Sequence, residues 1–135
     1  MADSHNTPHV DMMRSPLGRA RGYGAAQVGL GHWWAQRVTS VALVPLSLWF
    51  VCAVIRLEGA SRADVAHWLA GPLPMVLMLV TLATLFYHLQ LGISVIIEDY
   101  VHHEAMKVAS GMLVKAVCLL LALVGMVSVL RLGLT

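Results

Sequence analysis

The sequence predicts an all-α membrane protein, and three observations carry that prediction. Of 135 residues, 59% are hydrophobic and only 12% charged, about half the ~25% charge of a soluble domain. Charge is also unevenly placed: the first 37 residues are polar, and the remainder is dominated by three long apolar runs. Each run reaches the length of about 20 residues that a bilayer crossing requires. In lipid a lone segment must satisfy its own backbone, so each run is expected to be a helix.

Taken in order, residues 1–31 read as a polar tail with Gly, Ser and Pro scattered through it. They contain no apolar stretch ahead of a cleavage site, so no secretory signal is expected. Residues 32–135 read as a three-helix membrane domain with spans over about 38–55, 73–97 and 108–130. Pro45 falls inside the first span, where it removes a donor and is expected to bend the helix. The longer connection contains "RADVAHWLA" (Arg62 to Ala70), a candidate for a short interfacial helix with Trp68 among the headgroups. The second connection, Glu98 to Lys107, is expected to be a tight polar turn. Orientation follows from Lys and Arg. Arg14, Arg19, Arg21, Arg37 and Lys107 lie on one side, against Arg56, Arg62 and Arg131 on the other. The N-terminus is therefore placed in the cytoplasm.

Several function classes drop out. Cys52 and Cys118 both fall inside spans, without disulfide or metal-site spacing, and read as packing residues. There is no phosphate loop and no nucleophile-and-base pattern. A net charge of +2 is too small to point to a nucleic-acid partner.

Polar residues inside spans are costly and usually face a bundle interior or cavity. Thr81, Thr84, His88, Gly92, Val95 and Asp99 recur three or four apart, on one helical stripe. His88 lies near mid-membrane, and Asp99, three turns on, at the cytoplasmic rim. Arg37, Ser40, Val44 and Ser47 make a similar stripe on the first span, and Gly111, Lys115, Cys118, Ala122 and Gly125 one on the third. Such small and polar stripes suit close helix contact. A mid-depth histidine has three ordinary uses: a hydrogen bond across helices, a proton relay, or ligation of a metal or haem iron. Gly92, one turn from His88, would let a flat macrocycle lie close, and Arg37 and Lys115 would neutralise its propionates.

"HWWAQRVTSVALVPLSLWFV" followed by "YHLQLGISVIIEDYVHHE" resembles the hydrophobic membrane-anchor family of succinate dehydrogenase. The similarity is to its D-type member in alphaproteobacterial and mitochondrial form, from about Gly29 to the C-terminus. An Arg-x-Thr opening the first span and a His-x3-Gly with Asp-Tyr after it carry the resemblance. It implies three transmembrane helices forming half of a haem-binding bundle completed by a second cytochrome b-type anchor subunit. His88 then supplies one axial ligand to the iron of a haem b shared with that subunit. Tyr100 donates a hydrogen bond to ubiquinone, Asp99 stands beside it in the ubiquinone site, and Arg37 lies near the haem propionates and quinone pocket. The further partners implied are an iron–sulfur subunit, a flavoprotein subunit and membrane lipid, in the inner (plasma) membrane. The chain alone would not be an enzyme. It would serve electron transfer from succinate, a tricarboxylic acid cycle reaction, to ubiquinone in respiratory complex II. Two alternatives stand beside this reading: the anchor of a quinol:fumarate reductase, and a non-catalytic helical assembly protein whose stripes only pack helices.

Overall fold

The structure, a computed structural model, describes residues 25–135, with side chains from Gly29 onward. These residues form four helices: α1 (Ala25–Arg56), α2 (Arg62–Leu69), α3 (Pro72–Tyr100) and α4 (Glu104–Leu134). The chain divides into two compact units between Trp33 and Trp34. Arg37, His88, Asp99 and Tyr100 all fall in the second unit.

Helices α1, α3 and α4 are long and apolar enough to cross a membrane. They enclose the three expected spans and outrun them at both ends. An α-helix rises 1.5 Å per residue, so the 29 residues of α3 measure about 44 Å, against a hydrocarbon core of about 30 Å. Their ends therefore belong to the headgroup layer. The expected tail lies outside the described residues as far as residue 24, but from Ala25 the chain is already helical. Ala25, Ala26 and Gln27 are good helix formers, and a helix nucleated in the span extends through such residues cheaply.

Pro45 sits inside α1, which runs on through it to Arg56. The connection after α1 turns at Gly59, whose φ of 77° is a left-handed conformation that costs a side-chain-bearing residue more. Ser61 then caps α2. Its hydroxyl accepts from the Asp64 amide at 3.3 Å, while the Asp64 carboxylate accepts from the Ser61 amide at 3.1 Å. This reciprocal capping box starts the short helix expected over Arg62–Ala70. Trp68 stacks on Trp49 of α1, with centroids 6.1 Å apart and planes 19° off parallel. Gly71 and Pro72 then open α3, proline at a helix start losing only an amide that would be unpaired anyway.

Helices α3 and α4 are joined by residues 101–103 alone. Glu98, Asp99 and Tyr100 therefore form the last turn of α3, rather than belonging to the polar turn expected over Glu98–Lys107. The reason lies in the backbone: the Val101 amide still bonds to the Ile97 carbonyl at 3.0 Å, so the helix ladder closes past the acids. The two helices pack along small residues. Cys118 and Ala122 are buried on α4, Leu91 and Ser94 on α3. Gly125 faces Leu82, 3.4 Å from where a Cβ would stand. Near the end of α4, a Cβ on Gly133 would meet the Leu69 carbonyl oxygen at 3.2 Å and the Met75 methyl at 2.5 Å. Only a glycine lets α4 close over α2 there without displacing a neighbour.

Candidate functional site

His88 sits sixteen residues from Pro72 and twelve from Tyr100, close to the middle of α3. It is half-buried, facing α1, where the chain has placed a hydroxyl beside it: Thr39 Oγ1 lies 2.8 Å from His88 Nδ1. Thr39, 9% exposed, is one of two buried polar residues among those described. The same oxygen lies 2.7 Å from the Ala35 carbonyl and 3.1 Å from that of Gln36. Ser40 donates to the Gln36 carbonyl as well, at 2.7 Å. His88 thus makes a hydrogen bond across helices, one of the three uses open to it. The bond engages a single ring nitrogen. Among the described residues no group bonds to Nε2, so the second nitrogen keeps its capacity for another partner.

Gln36 lies over Gly92, its Nε2 3.8 Å from where a glycine Cβ would be. On this side the space expected beside His88 for a macrocycle is bordered by the Gln36 carboxamide, which α1 supplies. At 3.8 Å an added methyl would make only ordinary contact, so the α1 approach does not itself demand glycine. The Gln36 Oε1 is buried with no hydrogen-bond partner among the described residues, an open acceptor one turn from His88.

The structure does not bring the other candidates to this spot. Arg37 is exposed, and at 100° per residue it leaves α1 about 160° around from Thr39. Its depth is nonetheless within about 3 Å of Thr39 by helix rise. Asp99 and Tyr100 stand exposed at the end of α3, Tyr100 at 79%. They lie about 16–18 Å along the axis from His88. His102 Nδ1 is 3.2 Å from the Tyr100 carbonyl oxygen. Acids at a helix C-terminus oppose the macrodipole, so Glu98 and Asp99 are not placed there to stabilise α3. Lys115 is exposed on α4, three residues from buried Cys118. No cluster of three or more His, Cys, Asp or Glu residues suited to a metal occurs among the described residues.

Thr39 is the residue whose partnership sequence reasoning missed. It belongs to the Arg-x-Thr motif but not to the Arg37–Ser40–Val44 stripe. The available signal was the spacing of Gln36 and Thr39, three apart, a polar edge beside the stripe that carries Ser40.

Three helices of this length, with so little of their own surface covered, define a small multi-pass helical membrane subunit. Comparison with known proteins is specific: the chain belongs to the succinate dehydrogenase/fumarate reductase transmembrane subunit family, whose model matches residues 11–128. It is 32% identical to the succinate dehydrogenase hydrophobic membrane anchor subunit of Rickettsia bellii, over 65% of this chain and 70% of that one. To the subunit of that name in Rickettsia conorii it is 28% identical over 78% and 85% of the two chains. To that of Paracoccus denitrificans it is 30% identical over 70% and 74%. No solved structure matches the chain.

Proposed function

We propose that this chain anchors a succinate:ubiquinone oxidoreductase in the membrane, and holds one face of a haem b through His88. The observation that carries the haem reading is the division of labour on the imidazole. Nδ1 is occupied by Thr39, while Nε2, at mid-height of a spanning helix, has no partner among the described residues. Histidines that ligate metals are commonly held in this way, one nitrogen on a fixed acceptor and the other on the metal. One histidine with no companion ligand among the described residues fits a group shared with another subunit. The residues present therefore fit haem. When bound, haem b supplies a one-electron carrier within the membrane.

The residues of this chain divide the remaining work. His88 would hold the haem iron through Nε2, and a second anchor subunit would supply a further ligand. Arg37, at the depth of Thr39, brings a guanidinium to propionates or to the edge of the quinone pocket. Tyr100 donates its hydroxyl proton to a ubiquinone carbonyl oxygen, and Asp99 holds or passes a proton at the water edge. The iron–sulfur and flavoprotein subunits dock on that same side, which the arginine distribution assigns to the cytoplasm, with the protein in the inner membrane. The quinol:fumarate reductase alternative shares the family, but the relatives compared above are all named for succinate dehydrogenase.

The test is the native complex purified from membranes with His88→Ala in this chain. Haem b absorbance is expected to fall by more than half at unchanged subunit stoichiometry. A wild-type Soret band in that assembled variant removes His88 as ligand, and a wild-type complex without haem removes the reading altogether.

A further inference from the structure

We propose that Thr39 is a positioning residue that fixes the His88 tautomer, placing the ring proton on Nδ1 and leaving Nε2 bare. The tautomer follows from counting hydrogens. A threonine hydroxyl has one proton and two lone pairs, yet Thr39 Oγ1 has three neighbours within hydrogen-bond range. The two carbonyls can only accept. If the proton pointed to His88, Oγ1 would face the Ala35 oxygen at 2.7 Å with no hydrogen between them, a repulsive contact inside the membrane. If it points to Ala35, the nearer carbonyl accepts and Oγ1 offers a lone pair to His88, while the Gln36 carbonyl, farther off at 3.1 Å, takes its hydrogen from another hydroxyl. Ser40 supports this choice by already donating to the Gln36 carbonyl at 2.7 Å, leaving Ala35 as the Thr39 acceptor. Nδ1 must then be the donor to Oγ1 at 2.8 Å. A neutral imidazole protonated at Nδ1 has its free lone pair on Nε2.

The consequence for a ligand rests on the haem reading above; the tautomer itself does not. The chain Ala35 carbonyl–Thr39 hydroxyl–His88 Nδ1 holds the ring plane and keeps the donor nitrogen unprotonated before any metal arrives. The hydrogen bond from Nδ1–H also makes Nε2 a stronger donor, as such outer partners do. That favours the ferric iron over the ferrous.

Two measurements test it. In the full-length haem-free chain labelled with 15N-histidine, the signals lost on His88→Ala identify the ring, and their shifts report which nitrogen carries the proton. A protonated Nδ1 with an unprotonated Nε2 is expected; the opposite pattern overturns the proposal. In the purified complex, Thr39→Val keeps the shape and removes the hydroxyl. It is expected to weaken haem retention by about 10–100-fold, the usual effect of losing an outer-sphere partner, and to raise the haem midpoint potential. Thr39→Ser is expected to restore both. Wild-type retention and potential in Thr39→Val, in the same preparation where His88→Ala has lost its haem, overturn the proposal. If His88→Ala keeps its haem, the ligand reading has failed, and the nitrogen shifts still decide the Thr39 bond. Should Thr39→Val not assemble, those shifts decide alone.

Discussion

At the residue scale, the sharpest contrast is between a histidine the chain has fixed and a tyrosine it has left open. His88 has one nitrogen tied across to α1, whereas Tyr100 is 79% exposed at the end of α3. An exposed phenol contributes little to folding, so its removal tests function almost alone. Tyr100→Phe is expected to lower kcat/KM for ubiquinone by about 3–10-fold, the worth of one hydrogen bond of roughly 0.5–1.5 kcal/mol. Succinate oxidation by an artificial soluble acceptor should stay at the wild-type rate. Equal quinone kinetics in the two proteins would leave Tyr100 as an interfacial aromatic. The site was half legible in the sequence. A lone polar ring at mid-span advertises itself because burying it is costly, and the spacing to Asp99 is simple helix arithmetic. What covers that ring is a contact between segments 49 residues apart, which no periodicity encodes. For the same reason the Gln36 carboxamide that borders Gly92 could not be read from periodicity.

At the scale of elements, the three spans and the short connecting helix were legible because lipid allows few alternatives to a helix. Their ends were not, since hydropathy changes at the headgroup layer while the hydrogen-bond ladder continues beyond it. Asp99 and Tyr100 were therefore expected in a turn and are found in a helix. The start of α2 has a different logic, local and electrostatic. Hydrogen bonds from the Ser61 hydroxyl and then its amide hold the Asp64 carboxyl below the usual carboxylate range, and His67 adds to this. A carboxyl depressed in the folded state stabilises it fully above the unfolded value of about 3.9, and that contribution fades as pH falls through the folded value. Acidification below about pH 4 is thus expected to fray the first turn of α2, read as faster exchange of its amides after correction for intrinsic rate. Asp64→Asn should flatten that pH dependence. Amide protection independent of pH in the wild-type chain, or a dependence unchanged in Asp64→Asn, would show that the capping box is not what holds this end.

At the scale of the unit from Trp34 to Thr135, the chain covers little of itself. In the most apolar windows of α1, α3 and α4 only 6%, 11% and 11% of residues are buried. Helices α3 and α4 pack along small residues with Cys118 and Ala122 at the contact, but α1 is held differently. Its contacts include the Thr39–His88 bond, Gln36 over Gly92, and Trp49 on Trp68. Segments with few buried apolar contacts open first, at free energies well below global unfolding. In the full-length chain alone in detergent, α1 amides are therefore expected to exchange faster than those of α4. A partner that binds only the closed arrangement lowers the opening population by mass action, about 100-fold at a concentration near 100 times its Kd. Within the assembled complex, α1 protection should rise toward that of α4, while α4 changes least. Equal protection of the two helices in the isolated chain would mean that α1 needs no partner to stay seated. The Thr39–His88 bond would then be a feature of this subunit by itself, rather than one that assembly secures.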